Sequence, residues 1–145
     1  MSDVRMEVGC ETHLRAASCY IRMKVFVIER SLALKEEFDQ NDTPETVYSV
    51  LFVGDLPVAT ARYLSEDHET ARIGRVATQS DYRGQQLGSQ VVTALETYAK
   101  HEKKTQVLIH AEATAALFYE KLGYVQVGEQ YEEDGVPCMT LVKKL

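Results

Sequence analysis

The run from Thr70 to Ala99, "TARIGRVATQSDYRGQQLGSQVVTALETYA", constrains the fold more than any other part of this 145-residue chain. "TARIGRVAT" reads as a strand, and Gly74 inside it marks a bulge or a close backbone approach. A turn follows. A helix then runs from about residue 84 to 102, with Leu87, Val91, Leu95 and Tyr98 on its apolar stripe. Arg83 and Gly84 stand at its entrance and Gly88 lies inside it, where glycine costs about 1 kcal/mol relative to alanine. A strand that turns into a helix leaves free backbone N–H groups and points the positive end of the helix dipole into the turn. That arrangement binds phosphate. Arg83 would add charge, the glycines would let a ligand approach, and successive N–H groups would form an anion nest. Many helices also open on Arg-Gly and bind nothing, so these residues alone leave both readings open.

The rest of the chain supplies a sheet around this unit. "VRMEVGC" alternates like an opening strand, and residues 12–30 read as a helix with Leu14, Ala17, Tyr20 or Ile21, and Val25 at helical spacing. The acidic stretch "SLALKEEFDQNDTPET" reads as a short helix or loop. "VYSVLFV" and "PVATARYLS" form an antiparallel pair across Gly54-Asp55. "TQVLIH" is a buried type of strand, "ATAALFYEKLG" is a helix stopped by Gly123, and residues 124–145 close as a hairpin across Asp134-Gly135. There is no internal repeat or linker, so a single domain over residues 1–145 is expected. The fold class is α/β, a mixed and mostly antiparallel central sheet flanked by helices.

Charge and cysteines narrow the partners. Sixteen basic and twenty-two acidic residues leave a net charge of −6, which argues against nucleic acid or an anionic membrane as the main partner. It would suit a cationic substrate, and it would equally just aid solubility. Cys10, Cys19 and Cys138 show neither a disulfide framework nor zinc-ribbon spacing, and a reducing cytoplasm is the simplest setting. His13, His68, His101 and His110 lack i, i+4 ligand pairing, so no structural metal is expected. No apolar run approaches the roughly 20 residues that cross a bilayer.

The stretch "RIGRVATQSDYRGQQLGSQVV", followed some thirty residues later by "ALFYEKLGY", resembles the GNAT superfamily of acetyl-CoA-dependent N-acetyltransferases. The family's signature is Arg or Gln, two residues, Gly, one residue, then Gly or Ala. Arg83 and Gly88 match it, while Gln86 holds the first glycine position. That departure matters little if Gln86 keeps helical angles. "VFVIERSLALKEEFDQND" and "GEQYEEDGVPCM" further resemble the ElaA-like branch.

The resemblance implies a GNAT fold, acetyl-CoA as cosubstrate, a primary amine as acceptor, and set roles for named residues. The backbone of Val76, Ala77 and Thr78 would lie beside the pantetheine arm, with one N–H as oxyanion donor. The amides of Arg83, Gly84, Gln85, Gln86, Leu87, Gly88 and Ser89 would take the diphosphate. Tyr119 matches the family's general acid for the departing thiolate, since a phenol near pKa 10 keeps its proton at neutral pH. Tyr119 also reads as an amphipathic core residue of its helix. Phe118 would pack at the cofactor, and Lys121 would stand near the 3′-phosphate or simply face solvent. Glu112 holds a position where the family often has Asn; it would cap the next helix or face the cofactor or substrate.

For the general base, Cys138 stands where relatives carry a His, and a thiol near pKa 8.5 is a poor base at pH 7. His110 suits by pKa, while a lone strand-end His also reads as structural; Glu29 would orient or desolvate a cationic amine; a water relay needs no dedicated base. Glu29, Glu36, Glu37, Asp39 and Asp42 would line the acceptor side or form a solvated acidic loop. The resemblance leaves a homodimer open. A small-molecule amine is favoured over a protein terminus because no peptide-binding insertion is visible. A catalytically silent acetyl-CoA sensor of the same fold is the alternative. The missing G-x-x-x-x-G-K-[ST] and G-x-G-x-x-G motifs weigh against an ATP or NAD site.

Overall fold

The computed structural model describes residues 3–145. Its elements are β1 (Val4–Gly9), α1 (Thr12–Arg22), α2 (Leu34–Glu37), β2 (Val47–Val53), β3 (Leu56–Ser65), β4 (Thr70–Thr78), α3 (Leu87–His101), β5 (Gln106–Glu112), α4 (Ala116–Lys121), β6 (Val125–Glu133) and β7 (Val136–Lys144). They build one seven-stranded sheet of order β1-β2-β3-β4-β5-β7-β6. Every neighbouring pair is antiparallel except β4 and β5. The α/β class, the mixed sheet and the hairpin across Asp134-Gly135 are all as the patterning predicts. Both turn residues have positive φ, 52° and 79°, which suits the twist of a tight hairpin.

The two helix layers follow from the apolar stripes. Leu14, Ala17, Ile21 and Val25 pack on Tyr48, Val50, Phe52 and Ala77 on one face of the sheet. Val91, Val92, Leu95 and Ala99 of α3 pack on Leu51, Ala61, Ile73 and Val107 on the other. Tyr20 faces outward at 43% exposure, so Ile21 is the buried member of that pair.

Two departures from the sequence patterning and one expected bulge shape the site. First, the helix from Thr12 does not stay α-helical to residue 30. Its hydrogen bonding widens into a π-helix over Met23–Glu29, with the Arg30 N–H donating to the Val25 carbonyl. Val25, Val27 and Ile28 are β-branched and crowd a tight turn, and π segments recur at functional sites. Second, β4 and β5 pair only over Thr70–Arg72 and Gln106–Leu108, and beyond Arg72 they diverge into a V. Third, β4 does carry a bulge: Thr60 pairs with Ala77 and Arg62 with Gly74, so three steps of β4 face two of β3. The positive φ, 52°, falls on Arg75, and nothing lies within 4 Å of a Cβ built on Gly74. Gly74 therefore marks the bulge without itself making a close approach.

In the acidic segment after α1, Glu36 is exposed, whereas Glu37, Asp39 and Asp42 are drawn into ion pairs. Arg22, 0% exposed, donates from Nε to Glu37 at 2.9 Å and from Nη1 to Asp42 at 2.8 Å. Arg62 reaches Asp39 at 2.9 Å, and Arg75 reaches Asp39 and Glu37 at 3.2 Å. The Tyr48 hydroxyl donates to Asp42 at 2.7 Å. Three guanidinium groups thus match three carboxylates. Burial opposes ionisation of Asp42, but hydrogen bonds from Arg22 and Tyr48 outweigh it and hold the carboxyl well below its usual range. Glu37, Asp39 and Asp42 are spent on anchoring residues 31–46 to the sheet.

Candidate active site

The V between β4 and β5 opens into a cleft of about 920 Å³, at the upper end of the roughly 300–1,000 Å³ usual for ligand sites. Its walls are the end of β4, the loop into α3, the π segment and α4. Val76, Ala77 and Thr78 form one wall, on the stretch of β4 that has lost its partner β5.

The loop differs from the predicted helix start. α3 begins at Leu87, after a 3₁₀ turn at Ser80–Tyr82, so residues 83–86 are not helical. Gly84 has φ 79° and Gln86 φ 62°, ψ 24°. Gln86 therefore sits in the left-handed region, where glycine would be free of strain, and does not keep helical angles. Among the described residues, the N–H groups of Gly84, Gln86, Leu87, Gly88 and Ser89 have no hydrogen-bond partner, while Arg83 and Gly84 form a turn and the Arg83 N–H is taken by the Ser80 carbonyl at 3.4 Å. The free row thus begins at Gly84. Unpaired amides ending on the N-terminus of a fifteen-residue helix have the geometry that suits an anion. Ser89 donates its hydroxyl to the Gln86 carbonyl at 2.8 Å, which shapes the turn locally. Gly84, Gln86, Leu87, Gly88 and Ser89 line the cleft and Gln85 does not. The bare face of Gly88 meets the Phe118 ring.

Arg83 is not a free charge. Its Nη1 and Nη2 donate to the two Glu29 oxygens at 2.7 and 2.9 Å, and its Nε donates to the Thr78 carbonyl at 3.0 Å. The Arg83 hydrogen bonds hold the Glu29 carboxyl below its ordinary pKa. Glu29 thus pairs with the loop while also lining the cleft. The next residue, Arg30, donates to Glu112 at 2.8 and 3.1 Å. Glu112 precedes the turn into α4 but makes no side-chain cap, which removes the capping role.

Tyr119 lies on α4 at the opposite wall, 7% exposed, with its ring against Phe118 at 4.9 Å and Tyr124 at 5.9 Å. The stop at Gly123 builds this corner. Gly123, φ 101°, lets its own N–H reach the Glu120 carbonyl and the Tyr124 N–H reach the Tyr119 carbonyl at 3.1 Å. Tyr124 is then pinned by its hydroxyl donating to Glu96 at 2.7 Å. The Tyr119 hydroxyl has no hydrogen-bond partner among the described residues, and burial pushes its pKa up to about 12. Phe118 and Lys121 also line the cleft.

His110 and Cys138 stand outside this lining. His110 shares a face of β5 with Glu112 by strand alternation, and Glu112 reaches the segment that follows α1. Its Nδ1 bonds the Thr140 hydroxyl at 3.1 Å and the Tyr131 hydroxyl at 3.2 Å. Burial, aided by Arg72, lowers its pKa, so the imidazole is neutral at pH 7. Cys138 is buried, and burial together with Glu133 and Glu112 raises its thiol pKa. Val25, Phe26, Arg30, Tyr82, Ala115 and Leu122 line the cleft without having been singled out from sequence. The π widening that presents Val25, Phe26 and Arg30 leaves no periodic signal. No group of three or more His, Cys, Asp or Glu residues capable of holding a metal occurs among the described residues. No described helix is long and apolar enough to cross a membrane.

A mixed sheet that splits beside a helix entrance with unpaired amides, with a buried tyrosine on the facing wall of the cleft, is the architecture of an acyltransferase. The acetyltransferase (GNAT) domain profile matches residues 15–145, and the chain belongs to that family. It is 45% identical over 112 residues to an uncharacterised acetyltransferase encoded in the arcA 3′ region of Streptococcus pyogenes, spanning 77% of each chain. A crystal structure assigned as an N-acetyltransferase from Lactobacillus plantarum superposes with TM-score 0.93 at 39% identity, covering 98% of both chains. Escherichia coli ElaA gives TM-score 0.81 at 29% identity over 99% of both, in keeping with the branch that "VFVIERSLALKEEFDQND" resembles.

Proposed function

We propose that this acetyltransferase moves the acetyl group of acetyl-CoA to the primary amine of a small molecule by direct attack, with Tyr119 as general acid. The observation that carries the reading is the set of amides at Gly84 and Gln86–Ser89, unpartnered among the described residues, in a cleft that also holds the Tyr119 hydroxyl, likewise without a partner there. Acetyl-CoA supplies the acyl group as an activated thioester. The amides of Gly84 and Gln86–Ser89 hold its diphosphate, and the unpaired edge of Val76–Thr78 lies along its arm. A backbone N–H of that edge, aimed at the thioester oxygen, contributes roughly 3 kcal/mol as an oxyanion donor. Tyr119 keeps its proton on Oη throughout the physiological range and gives it to the sulfur as the C–S bond breaks.

His110 takes the amine's proton. It is the one sequence-derived base that is neither salt-bridged nor held protonated. With the Nδ1 proton directed at the Thr140 hydroxyl, Nε2 offers its lone pair on the α1 side of the sheet, directly or through one water. The connecting segment of residues 31–46 is consumed by the ion network and adds no peptide-binding arm, which favours a small acceptor.

Calorimetric titration with CoA, ATP and NAD, followed by thiol release from acetyl-CoA across an amine panel, tests the reading. CoA binding without ATP or NAD binding, and turnover with at least one amine, is expected. Equal binding of ATP removes the acetyl-CoA assignment. CoA binding with no turnover on any amine moves the reading to a sensor.

A further inference from the structure

We infer that Glu29 is a positioning residue for the diphosphate loop, and that Arg83 acts through Glu29 rather than as a phosphate ligand; this rests on the loop's role proposed above. All three nitrogens of the Arg83 guanidinium are committed to the protein, two to Glu29 and one to the Thr78 carbonyl. Arg83 thereby joins the last residue of β4, its own loop and the last residue of the π segment. The loop needs such a brace. Among the described residues, the amides of Gly84 and of Gln86 to Ser89 make no hydrogen bonds of their own, and both Gly84 and Gln86 are left-handed. A stretch so poorly bonded would have to be ordered by its ligand, and that ordering would be lost from affinity. The π segment is itself held from the other side, because the neighbouring Arg30 pairs with Glu112 at the end of β5. Consecutive residues of opposite charge thus tie one segment to both walls of the V.

The two roles for Glu29 predict opposite signs. A carboxylate merely standing beside an incoming diphosphate repels it, so its removal would tighten binding. A carboxylate that preorganises the loop loosens binding when removed. CoA affinity is measured by calorimetry for Glu29→Ala, Arg83→Ala, the double variant and the exchanged pair Glu29→Arg with Arg83→Glu. Each single change is expected to weaken CoA by about two- to fivefold, the scale of a well-formed exposed ion pair. The double variant should be no weaker than either single one, and the exchanged pair should recover most of the loss. Glu29→Gln, which keeps one hydrogen bond, should fall between wild type and Glu29→Ala, and it serves if a charge change disturbs folding. KM for acetyl-CoA should rise while kcat at saturation stays the same. Tighter or unchanged binding in Glu29→Ala, or an exchanged pair weaker than both singles, overturns the inference and leaves the proposed function standing. A wild-type protein that does not bind CoA overturns both.

Discussion

Gly88 and Phe118 pack directly on one another: a Cβ built on Gly88 would lie 3.3 Å from Phe118 Cζ. The glycine that opens α3 therefore serves two neighbours, its bare amide facing the cleft and its missing side chain leaving room for an aromatic ring of α4. Gly88→Ala should leave stability within about 1 kcal/mol, because the gain in helix propensity offsets a few tenths of an ångström of ring displacement. The displaced ring narrows the cleft, so CoA affinity should fall while the melting temperature holds. A parallel calorimetric and thermal measurement separates the two effects.

Tyr119→Phe removes a hydroxyl that has no protein partner, so the fold loses no hydrogen bond. Thermal stability should be unchanged and kcat should fall about 10²–10⁴-fold, the usual range for losing a general acid. With its pKa pushed up to about 12, Tyr119 should contribute no falling alkaline limb below pH 10. Rates of Tyr119→Phe within a factor of two of wild type would remove Tyr119 from the chemistry.

His110 and Cys138 divide on the pH–rate profile. A base must be unprotonated, so the rate should rise with pH through a midpoint below the ordinary histidine value, in the direction burial sets. His110→Gln should lower kcat/KM by about 10²-fold or more and abolish that acid limb. Cys138→Ala should leave the profile intact, because the thiol is already held protonated by its burial and by Glu133 and Glu112.

Asp42 ties stability to pH. Its folded pKa lies below its unfolded value, so its contribution is fully present above the unfolded value and is lost as pH falls through the folded one. Urea unfolding should show stability declining from about pH 4 downward, and Asp42→Asn should flatten that slope. Arg22→Ala leaves Glu37 and Asp42 without their shared buried guanidinium and should cost about 3–5 kcal/mol at pH 7.

Gln86 carries a left-handed backbone that a side chain tolerates at a cost of about 1–2 kcal/mol. Gln86→Gly should relieve most of it, partly offset by the freer unfolded chain, and should raise the melting temperature without weakening CoA. Gln86→Val should do the reverse, since a branched Cβ is least compatible with positive φ.

Near-neighbour chemistry alone determined the elements around the V, the hairpin turn at Asp134-Gly135, the stop at Gly123 and the strand-turn-helix that exposes amides, because periodicity and permitted φ are read within a few residues. Motif likeness extended that to Tyr119 and to the loop. The ion-pair partners of the acidic residues were decided only in three dimensions. Glu29 meets Arg83 across 54 positions, Glu112 meets Arg30 across 82, and Arg22 meets Asp42 across 20. Opposite charges in a sequence carry no record of their partners; the packing of α1 on the sheet chooses them. The parting of β4 from β5 likewise depends on register between strands distant in sequence, which no local pattern encodes.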